Sequence, residues 1–467
     1  MENSPLFHIY TYFRNVILNA TGAKRDLYKL LEDKDVGTAL SRLEEHDMEV
    51  DNAIKEYNPQ THDVMYRKDK YIKGEEPYFT EKLPRTRQRY INEVELFFLL
   101  GNPIEWKKEE GDDETFTIYK NYLDEIFFNS KIRQVKRCAG SETEAAFCFH
   151  FYRDTDGKIG VDPFVASRTK GYKLRTLFDQ YGNMMCGALG YSLQINGKTT
   201  QCWDFMLDEM NYHCELGTFG WNVEHFPNPS GKIDMIYFRQ PKAWDGAERR
   251  IKREEMLDSK VGDTNNYFAD PIAAASADVI NSMPKRDKVG KLIQLSGANS
   301  RFEYIAPPQN SEARAAEKND LRDSILFDTF TPDLSPDTMK AMSTLTSVGI
   351  KRALVLGYIK RANRMEVYEE MITRFKNLVI SILKVLHPNM ASKLDSLRIG
   401  FKFAEPFTDD KTDLWAKIGN AYRSGIMSLE TAVTMLALTD APEEEIARIK
   451  QAEAEKMAAT AKNPKDE

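Results

Sequence analysis

The chain has 467 residues and a mass of 53.7 kDa, a length that corresponds to about three domains of ordinary size. Hydrophobic residues make up 42% and charged residues 29%, with a mean hydropathy of −0.53, which excludes a disordered chain. The formal net charge of −7 argues against a protein that grips nucleic acid over its whole surface, while local basic patches remain open.

The cysteines and the N-terminal residues bear on the cellular compartment. Five cysteines are too few, and odd in number, for a disulfide framework, so we expect reduced thiols. Glu2 comes early, and His8 and Arg14 interrupt the apolar residues that follow, which does not fit a signal peptide. No stretch approaches the roughly 18 apolar residues of a membrane span. We therefore expect assembly in a cytosol, without a membrane partner.

The first part of the chain predicts helices and then a basic, polar connection. Apolar residues at helical spacing indicate helices over 23–57. The polar stretch 66–90 carries Arg85, Arg87 and Arg89, a pattern that favours a solvated face.

The next segments predict one apolar helix and then strands. Tyr90–Leu100 reads as a helix that ends at Gly101-Asn102-Pro103. Residues 145–240 alternate in the manner of strands. Within them, Asn196-Gly197 predicts a type I′ turn between strands Tyr191–Ile195 and Lys198–Trp203. The first half is therefore expected to be α+β.

The pattern changes after about residue 265. Asp270-Pro271 predicts the start of a short alanine-rich helix, Ile272–Met283. Residues 284–305 predict a small hairpin with strands Val289–Leu295 and Arg301–Ile305. A charged helix is expected over 311–327, followed by a connection over 331–347 with weak structure of its own.

The last third predicts a long helix and a helical tail. Apolar residues keep helical spacing from about Val348 to Leu386, which would give one helix of about 60 Å. Such a length suggests a spanning element in an assembly. Leu397–Phe403 predicts one more strand. In the tail, Ser424-Gly425 ends one helix, Ser428 opens the next, and Asp440 with Glu443 forms a capping box for the last.

Motifs for catalysis or cofactors give no positive indication. The chain contains no G-x-S-x-G elbow, and Gly197-Lys198-Thr199 lacks the first glycine of a phosphate-binding loop. Cys202, His213 and Cys214 have no common zinc-site spacing, so we interpret them as buried thiols and an ordinary histidine. We expect neither enzymatic activity nor a cofactor or metal.

The predicted hairpin is distinctly basic. Asp287 and Glu303 are its two acids, whereas its bases are Lys285, Arg286, Lys288, Lys291 and Arg301. A hairpin of this size cannot build a core alone. We expect it to project and to pair with a copy of itself or with a partner, the alternative being an ordinary solvated turn.

Four segments together resemble the portal (connector) proteins of tailed bacteriophages, the siphophage class in particular. Residues 90–104 (YINEVELFFLLGNPI) are similar to the family's early helix and its "llG-x-P" turn, and 296–308 (SGANSRFEYIAPP) to the segment that leaves its clip. Residues 311–352 resemble the stem helix and its connection, although Ser343–Lys351 departs from the usual Ser-Gly pair. Residues 423–450 (RSGIMSLETAVTMLALTDAPEEEIARIK) resemble the family's "G-x-x-S-x-E-T" helix pair.

The resemblance implies a mostly helical α+β subunit with wing, stem, clip and crown regions that assembles as a ring. The expected regions are a wing over 1–266, a first stem helix over 267–283, a clip hairpin over 284–308, a second stem helix over 309–329, a tunnel loop over 330–350, a long wing helix with its strand over 351–407, and crown helices over 408–467.

The resemblance also implies roles for the charged residues. Lys285, Arg286, Lys288, Lys291 and Arg301 would contact a motor or an adaptor. Glu317, Asp320 and Asp323 would line a mildly acidic channel, in which repulsion keeps DNA from sticking. Lys340, Thr344, Ser347 and Lys351 would lie in the tunnel loop near DNA.

The implied partners are those of a virion component at a capsid vertex. They are the other copies in an expected dodecameric ring, the large terminase subunit, the major capsid and scaffolding proteins, a head-completion adaptor, and double-stranded DNA passing non-specifically. Twelve copies would carry roughly −84 formal charges around the DNA path. Two alternatives remain at this stage: another capsid-associated scaffold or head–tail adaptor, and an enzyme whose site has no familiar motif.

Overall fold

A computed structural model describes most of the chain, in two compact units. The described residues are 22–71, 77–153, 157–195, 197–269, 272–275, 302–305, 311–345, 347–407, 411–436 and 442–462. The large unit comprises Met1–Asp333 and Leu356–Ala404, and the small unit comprises Leu334–Val355 and Glu405–Glu467. Both helices and strands are abundant, which confirms the α+β, mostly helical class.

The helices up to the middle of the chain belong to the large unit. In chain order they are α1 (22–32), α2 (Val36–Ser41), α3 (Asp47–Tyr57), α4 (Arg87–Leu100), α5 (Asp113–Glu125), α6 (Phe128–Glu142), α7 (Glu248–Ala269) and α8 (Ser311–Asp328). The later helices are α9 (Pro336–Met342), α10 (Ser347–Ala353), α11 (Val355–Leu386), α12 (Ala391–Ser396), α13 (Lys411–Arg423), α14 (Leu429–Leu436) and α15 (Pro442–Lys462). Within the described residues, no helix is both long and apolar enough to cross a membrane.

Twelve strands of the described chain form four antiparallel sheets. They are β1 (Ile104–Glu110), β2 (Glu144–Arg153), β3 (Ile159–Ala166), β4 (Lys173–Phe178), β5 (Met184–Ile195), β6 (Lys198–Met206), β7 (Met210–Gly217), β8 (Gly220–Pro227), β9 (Met235–Arg239), β10 (Ile272–Ala275), β11 (Phe302–Ile305) and β12 (Arg398–Phe403). Strands β4 to β8 form a five-stranded meander, and β3-β2-β9 form a three-stranded sheet. β1 pairs with β12, and β10 pairs with β11.

The main core surrounds the second half of α11. Its buried side chains repeat at helical spacing, and they are Tyr368, Ile372, Phe375, Leu378, Val379, Ile382 and Leu383. The ring of Phe375 lies 4.6 Å from that of Phe128 and 5.1 Å from that of Phe147, measured between centroids. One helix therefore joins α6 and β2 in a single apolar cluster. Each such large side chain contributes about 1.5–3 kcal/mol when fully buried.

A second core lies between the N-terminal helices and the five-stranded sheet. Leu27, Leu31 and Val36 pack against one face of this sheet, where Trp203 and Phe205 are also buried. Because side chains alternate along a strand, the residues between them point to the opposite face. That opposite face packs partly against the three-stranded sheet.

Most predicted elements are confirmed. The helices in 23–57, the helix before Gly101, the hairpin at Asn196-Gly197 and the strand before Phe403 all form. In the tail, Gly425 adopts a φ of +71° after α13, a left-handed conformation that favours glycine and ends helices. The hydroxyl of Ser428 accepts a hydrogen bond from the backbone N–H of Thr431 and so caps α14. The predicted cap at Asp440 lies outside the described residues.

Three predictions about elements are wrong. Ile272–Ala275 is a strand rather than the start of a helix; 276–283 lie outside the described residues. The connection over 331–347 contains a full helix, Pro336–Met342, and the start of a second one. The long helix is interrupted at Leu354, so its main part has 32 residues and a length of about 48 Å.

Candidate functional site

The predicted basic hairpin is described only at its base. β10 and β11 pair antiparallel, with Ile272 opposite Ile305 and Ala275 opposite Phe302, which brings the two ends of the intervening segment together. Lys285, Arg286, Lys288, Lys291 and Arg301 lie outside the described residues, as does the predicted strand Val289–Leu295. Alanine favours a helix by only about a few tenths of a kcal/mol per residue over most other residues. Pairing with Phe302–Ile305, whose residues favour strands, therefore outweighs the helix preference of Ile272–Ala275.

Helices α7 and α8 form an antiparallel pair that is stabilised by ion pairs between their side chains. Arg250 near the start of α7 pairs with Asp328 at the end of α8. Further along α7, the Asp258 carboxylate lies 2.8 Å from Nζ of Lys318. This pairing order makes the two chain directions opposite. α7, which includes 267–269 of the predicted first stem helix 267–283, is therefore the described helix that pairs with α8, and 276–283 lie outside the described residues.

The three predicted channel acids divide between two faces of α8. Glu317 lies 2.7 Å from Nη2 of Arg253 and so faces α7. Asp320 and Asp323 are exposed, and at about 100° per residue they point within about 60° of one another on the side away from α7. Asp323 has a contact with Arg322 Nε at 3.1 Å, its neighbour on the same helix. The exposed face of α8 is thus acidic without Glu317.

The predicted tunnel residues belong to the small unit and lie on or beside two short helices. Lys340 is exposed on α9, and the Thr344 hydroxyl donates to the carbonyl of Ala341 at 3.0 Å. Ser347 begins α10, and Lys351 is half-buried within it. The sequence did carry a signal for α9. Ser335 is its N-cap, and a proline occupies its first position.

The expectation of a solvated basic face over 66–90 is wrong for Arg87, whereas the Arg85 side chain stays 39% exposed although it pairs with α7. Arg87 makes a two-pronged bond to the buried Glu254, with Nη2 to Oε1 at 2.7 Å and Nε to Oε2 at 3.0 Å. Nε of Arg85 donates to Asp258 at 2.5 Å. Such bidentate, charge-assisted bonds are among the stronger hydrogen bonds. Arg87 therefore neutralises the buried Glu254, and Arg85 shares the carboxylate of Asp258 with Lys318.

Polar side chains on one face of α7 also accept hydrogen bonds from the backbone of 81–85. The backbone N–H groups of alternate residues 81, 83 and 85 donate to three α7 side chains, Asp263, Ser259 and Glu255, at 2.7, 2.9 and 2.8 Å. These side chains stand four residues apart and so lie on one helix face. The E-x-x-x-S-x-x-x-D spacing in the sequence was the available signal for this contact.

His62 completes the contact with α7 as a buried ion. Its Nδ1 lies 2.6 Å from Oε1 of Glu255, and its Nε2 lies 2.7 Å from the carbonyl oxygen of Glu56. Both partners can only accept, so both ring nitrogens must carry hydrogen. Burial alone would lower the pKa of His62, but the bonds to Glu255 and Glu56 outweigh it and raise this pKa above 6.5.

A second buried ionic cluster surrounds Glu95 on α4. Its Oε1 lies 2.7 Å from Nζ of Lys136 and 2.9 Å from Nε of Arg364, and its Oε2 lies 3.2 Å from Nζ of Lys360. Lys360 also donates to the carbonyl of Ala243 at 3.0 Å. Burial lowers the pKa of Lys360 to about 8 despite the attraction of Glu95. The three cations hold the pKa of Glu95 far below its usual range even though burial opposes this.

The Glu95 cluster joins elements that are distant in the sequence. Its cations come from α6 and α11, and Nζ of Lys360 lies 3.4 Å from the hydroxyl of Thr331, just after α8. The sequence contained an indication of this cluster, because Glu95 lies four residues after the buried Ile91 and among the apolar residues of α4. A lone acid on the apolar face of a helix indicates a buried ion pair.

Two solved structures match the chain over most of its length. Among solved structures, the neck of a native GTA particle, computed with C12 symmetry, matches with a TM-score of 0.42 and 10% identity over 87% of this chain and 98% of that chain. The neck of an empty GTA particle, computed with C6 symmetry, matches with a TM-score of 0.43 and 9% identity over 86% and 97%. Because both TM-scores are below 0.5, we infer no function from these two matches. No curated protein sequence matches the chain.

One family of proteins matches nearly the whole length of the chain. The profile described as "Phage portal protein, SPP1 Gp6-like" matches residues 40–459, which is nearly the whole chain. The match spans both compact units, and it includes the α7–α8 pair, the two short helices after it and the helical tail. The chain therefore belongs to the SPP1 Gp6-like family of phage portal proteins.

Proposed function

We propose that this chain forms the portal ring at one capsid vertex, through which double-stranded DNA enters the head and later leaves to the tail. The observation that carries the proposal is the family match over 40–459. A ring of about twelve copies is the assembly that the sequence resemblance implies. In this proposal the chain contributes no catalysis of its own and acts as a conduit.

The α7–α8 pair supplies the stem of the proposed channel. α8 presents Asp320 and Asp323 on its exposed face, while Glu317, Lys318 and Asp328 are paired with residues of α7. A lining of this sign repels the DNA phosphates, so the duplex can slide without being held. The ion pairs between the helices engage Arg250 and Arg253 of α7, which keeps these two cations from binding the DNA phosphates.

The regions on either side of the stem take the remaining roles. We assign the basic segment 284–308 to contacts with the large terminase subunit and afterwards with a head-completion adaptor. The 330–350 segment, with Lys340, Thr344, Ser347 and Lys351, would lie near DNA. The major capsid and scaffolding proteins would hold the ring in the virion.

Removal of the chain tests the proposal directly. Without its gene, the phage should still assemble capsid shells, but these should contain no DNA, because neither an entry point nor a docking site for a motor is present. Re-supplying the gene in trans should restore filled heads. Filled heads in the absence of the chain would overturn the proposal.

A further inference from the structure

One face of the β6–β7 hairpin brings together four chemically active side chains. In the register of these strands, Cys202 is opposite Glu215 and Asp204 is opposite His213. Because side chains alternate along each strand, all four lie on the same face of the sheet. Cys214 points to the other face, where it is buried against the N-terminal helices. The residues that meet therefore differ from Cys202, His213 and Cys214, the set that the sequence spacing excluded as a zinc site.

Three of these side chains lie at the spacing of metal ligands. The sulfur of Cys202, a ring nitrogen of His213 and a carboxylate oxygen of Glu215 are all within 4.8 Å of one another. Nε2 of His213 is 3.1 Å from Oε1 of Glu215. Two ligands of a tetrahedral zinc ion, each about 2 Å from the metal, are separated by a similar distance. Small rotations of the side chains would bring all three to one ion.

The fourth side chain orients the histidine. Oδ1 of Asp204 lies 2.6 Å from Nδ1 of His213, which directs the other ring nitrogen towards Glu215 and Cys202. A carboxylate that holds the far nitrogen of a metal-binding histidine is the usual outer partner in zinc sites, where it fixes the ring and raises its basicity. Asp204 thus stands where a positioning residue is required.

We propose that Cys202, His213 and Glu215 bind one Zn²⁺ ion, with Asp204 as the positioning residue and water in the fourth position. A thiolate and an imidazole together favour zinc over magnesium or calcium. The ion would displace the protons on the Cys202 sulfur and on Nε2 of His213, and both protons pass to solvent. It would fasten β6 to β7. In the metal-free state the bonds to Asp204 and Glu215 raise the pKa of His213 to about 9, so these side chains then form an ion triad.

Metal analysis of the full-length, tag-free chain tests the site. After equilibration with a small excess of ZnCl₂ and desalting, we expect about one zinc per chain, the single ion that three protein ligands and one water can hold. Co²⁺ in place of zinc should give a thiolate-to-cobalt charge-transfer band. Asp204→Asn should weaken zinc binding by about 10–100-fold, the range for an outer-partner change.

Two cysteine variants separate this site from unspecific thiol binding. Cys202→Ser should abolish the charge-transfer band. Cys214→Ala, on the same hairpin but on the opposite face, should keep both the band and the zinc. Circular dichroism shows whether each variant folds. A wild-type chain that retains far less than one zinc and gives no cobalt band would overturn the proposal, as would loss of the band only in Cys214→Ala.

Discussion

Glu95 is a fully buried carboxylate that faces three cations, so its removal leaves like charges together. The desolvation of such ions costs several kcal/mol, and their mutual attraction compensates only while the set is complete. The side chains of both Glu95 and Lys136 are completely buried, and Lys360 is nearly so. The cluster therefore makes the junction of α4, α6 and α11 sensitive to single substitutions.

Glu95→Gln tests this sensitivity. We expect a loss of about 3–5 kcal/mol in the free energy of unfolding at pH 7, because Lys136, Lys360 and Arg364 would be buried without an anion. The loss should shrink at higher pH, since a buried lysine with a depressed pKa gains folding stability as it releases its proton. Urea unfolding at pH 7 and pH 9 measures both effects. Glu93→Gln, an exposed acid on the same helix paired with Arg137, should cost less than about 1 kcal/mol.

His62 gives a second pH dependence, in which the cost of the substitution again falls as the pH rises. Its pKa is raised in the folded state, so its stabilising bond to Glu255 is fully present below about pH 6.5 and is lost as the pH rises through the folded pKa. His62→Gln should therefore cost on the order of 3 kcal/mol at pH 6 and less at pH 9. Thermal unfolding of both proteins across this range gives the difference. The exposed His225→Gln should show little change, and a cost for His62→Gln that grows with pH would contradict the assignment.

At the residue scale, the sequence does not reveal which charged side chains are paired with distant parts of the chain. Asp320 and Asp323, which the resemblance places in a channel, are exposed on α8, and their position in a channel stays a prediction. Arg87 was expected in solvent but lies against Glu254, which is more than 160 residues further along the chain. Long-range ion pairs leave no local pattern, since each partner alone resembles an ordinary surface charge.

At the scale of elements, close approach between helices depends on two glycines. A Cβ on Gly357 of α11 would meet the ring of Phe98 at 2.4 Å, and one on Gly140 of α6 would meet Oδ1 of Asn92 at 1.9 Å. Phe98 and Asn92 both belong to α4 and are buried. α4 can therefore lie directly against its two neighbours only where they carry no side chain.

Gly357→Ala tests this packing. Alanine is the better helix former by about 0.5–1 kcal/mol, but displacement of the buried Phe98 ring should cost about 1–3 kcal/mol. We expect net destabilisation in chemical unfolding. Gly37→Ala in α2, where the nearest atom is 4.0 Å from the added Cβ, should be neutral or slightly stabilising. Stabilisation of both variants would show that the α4–α11 contact is looser than described.

The exposed face of α8 carries the element-scale prediction about transport. If this face lines the DNA path, Asp320→Lys combined with Asp323→Lys should reduce the amount of DNA packaged per head. The added cations attract phosphate, and salt screens this attraction, so the defect should be largest at low ionic strength. Packaged DNA is measured by nuclease protection. Glu105→Lys combined with Glu110→Lys, two exposed acids on β1, serves as a charge-matched control. Unchanged packaging at every salt concentration would remove Asp320 and Asp323 from the channel.

Elements were predictable where a local pattern decided them. The hairpin at Asn196-Gly197 and the buried face of α11 follow from turn chemistry and apolar spacing. The strand Ile272–Ala275 could not be foreseen, because its partner lies some thirty residues away and alanine-rich segments favour helices when alone. The break at Leu354 is likewise invisible in a segment whose apolar spacing continues through it.

At the scale of the whole molecule, net charge has a different meaning in a ring than in a single chain. A net charge of −7 per chain opposes tight binding of nucleic acid. In a ring of about twelve copies, this negative charge would surround the central channel and repel DNA phosphates on all sides. Large exposed apolar side chains in the described part of the chain, including Phe327 and Ile359, are consistent with further surface being covered by neighbouring copies.

Electron microscopy of the purified full-length chain tests the central claim most directly. Negatively stained particles at several protein concentrations should show rings with a central hole, and class averages should display about twelvefold symmetry, as expected for closed assemblies of identical subunits. Particles that remain compact monomers at the highest concentration, with no rings in any class, would contradict the proposed portal assembly.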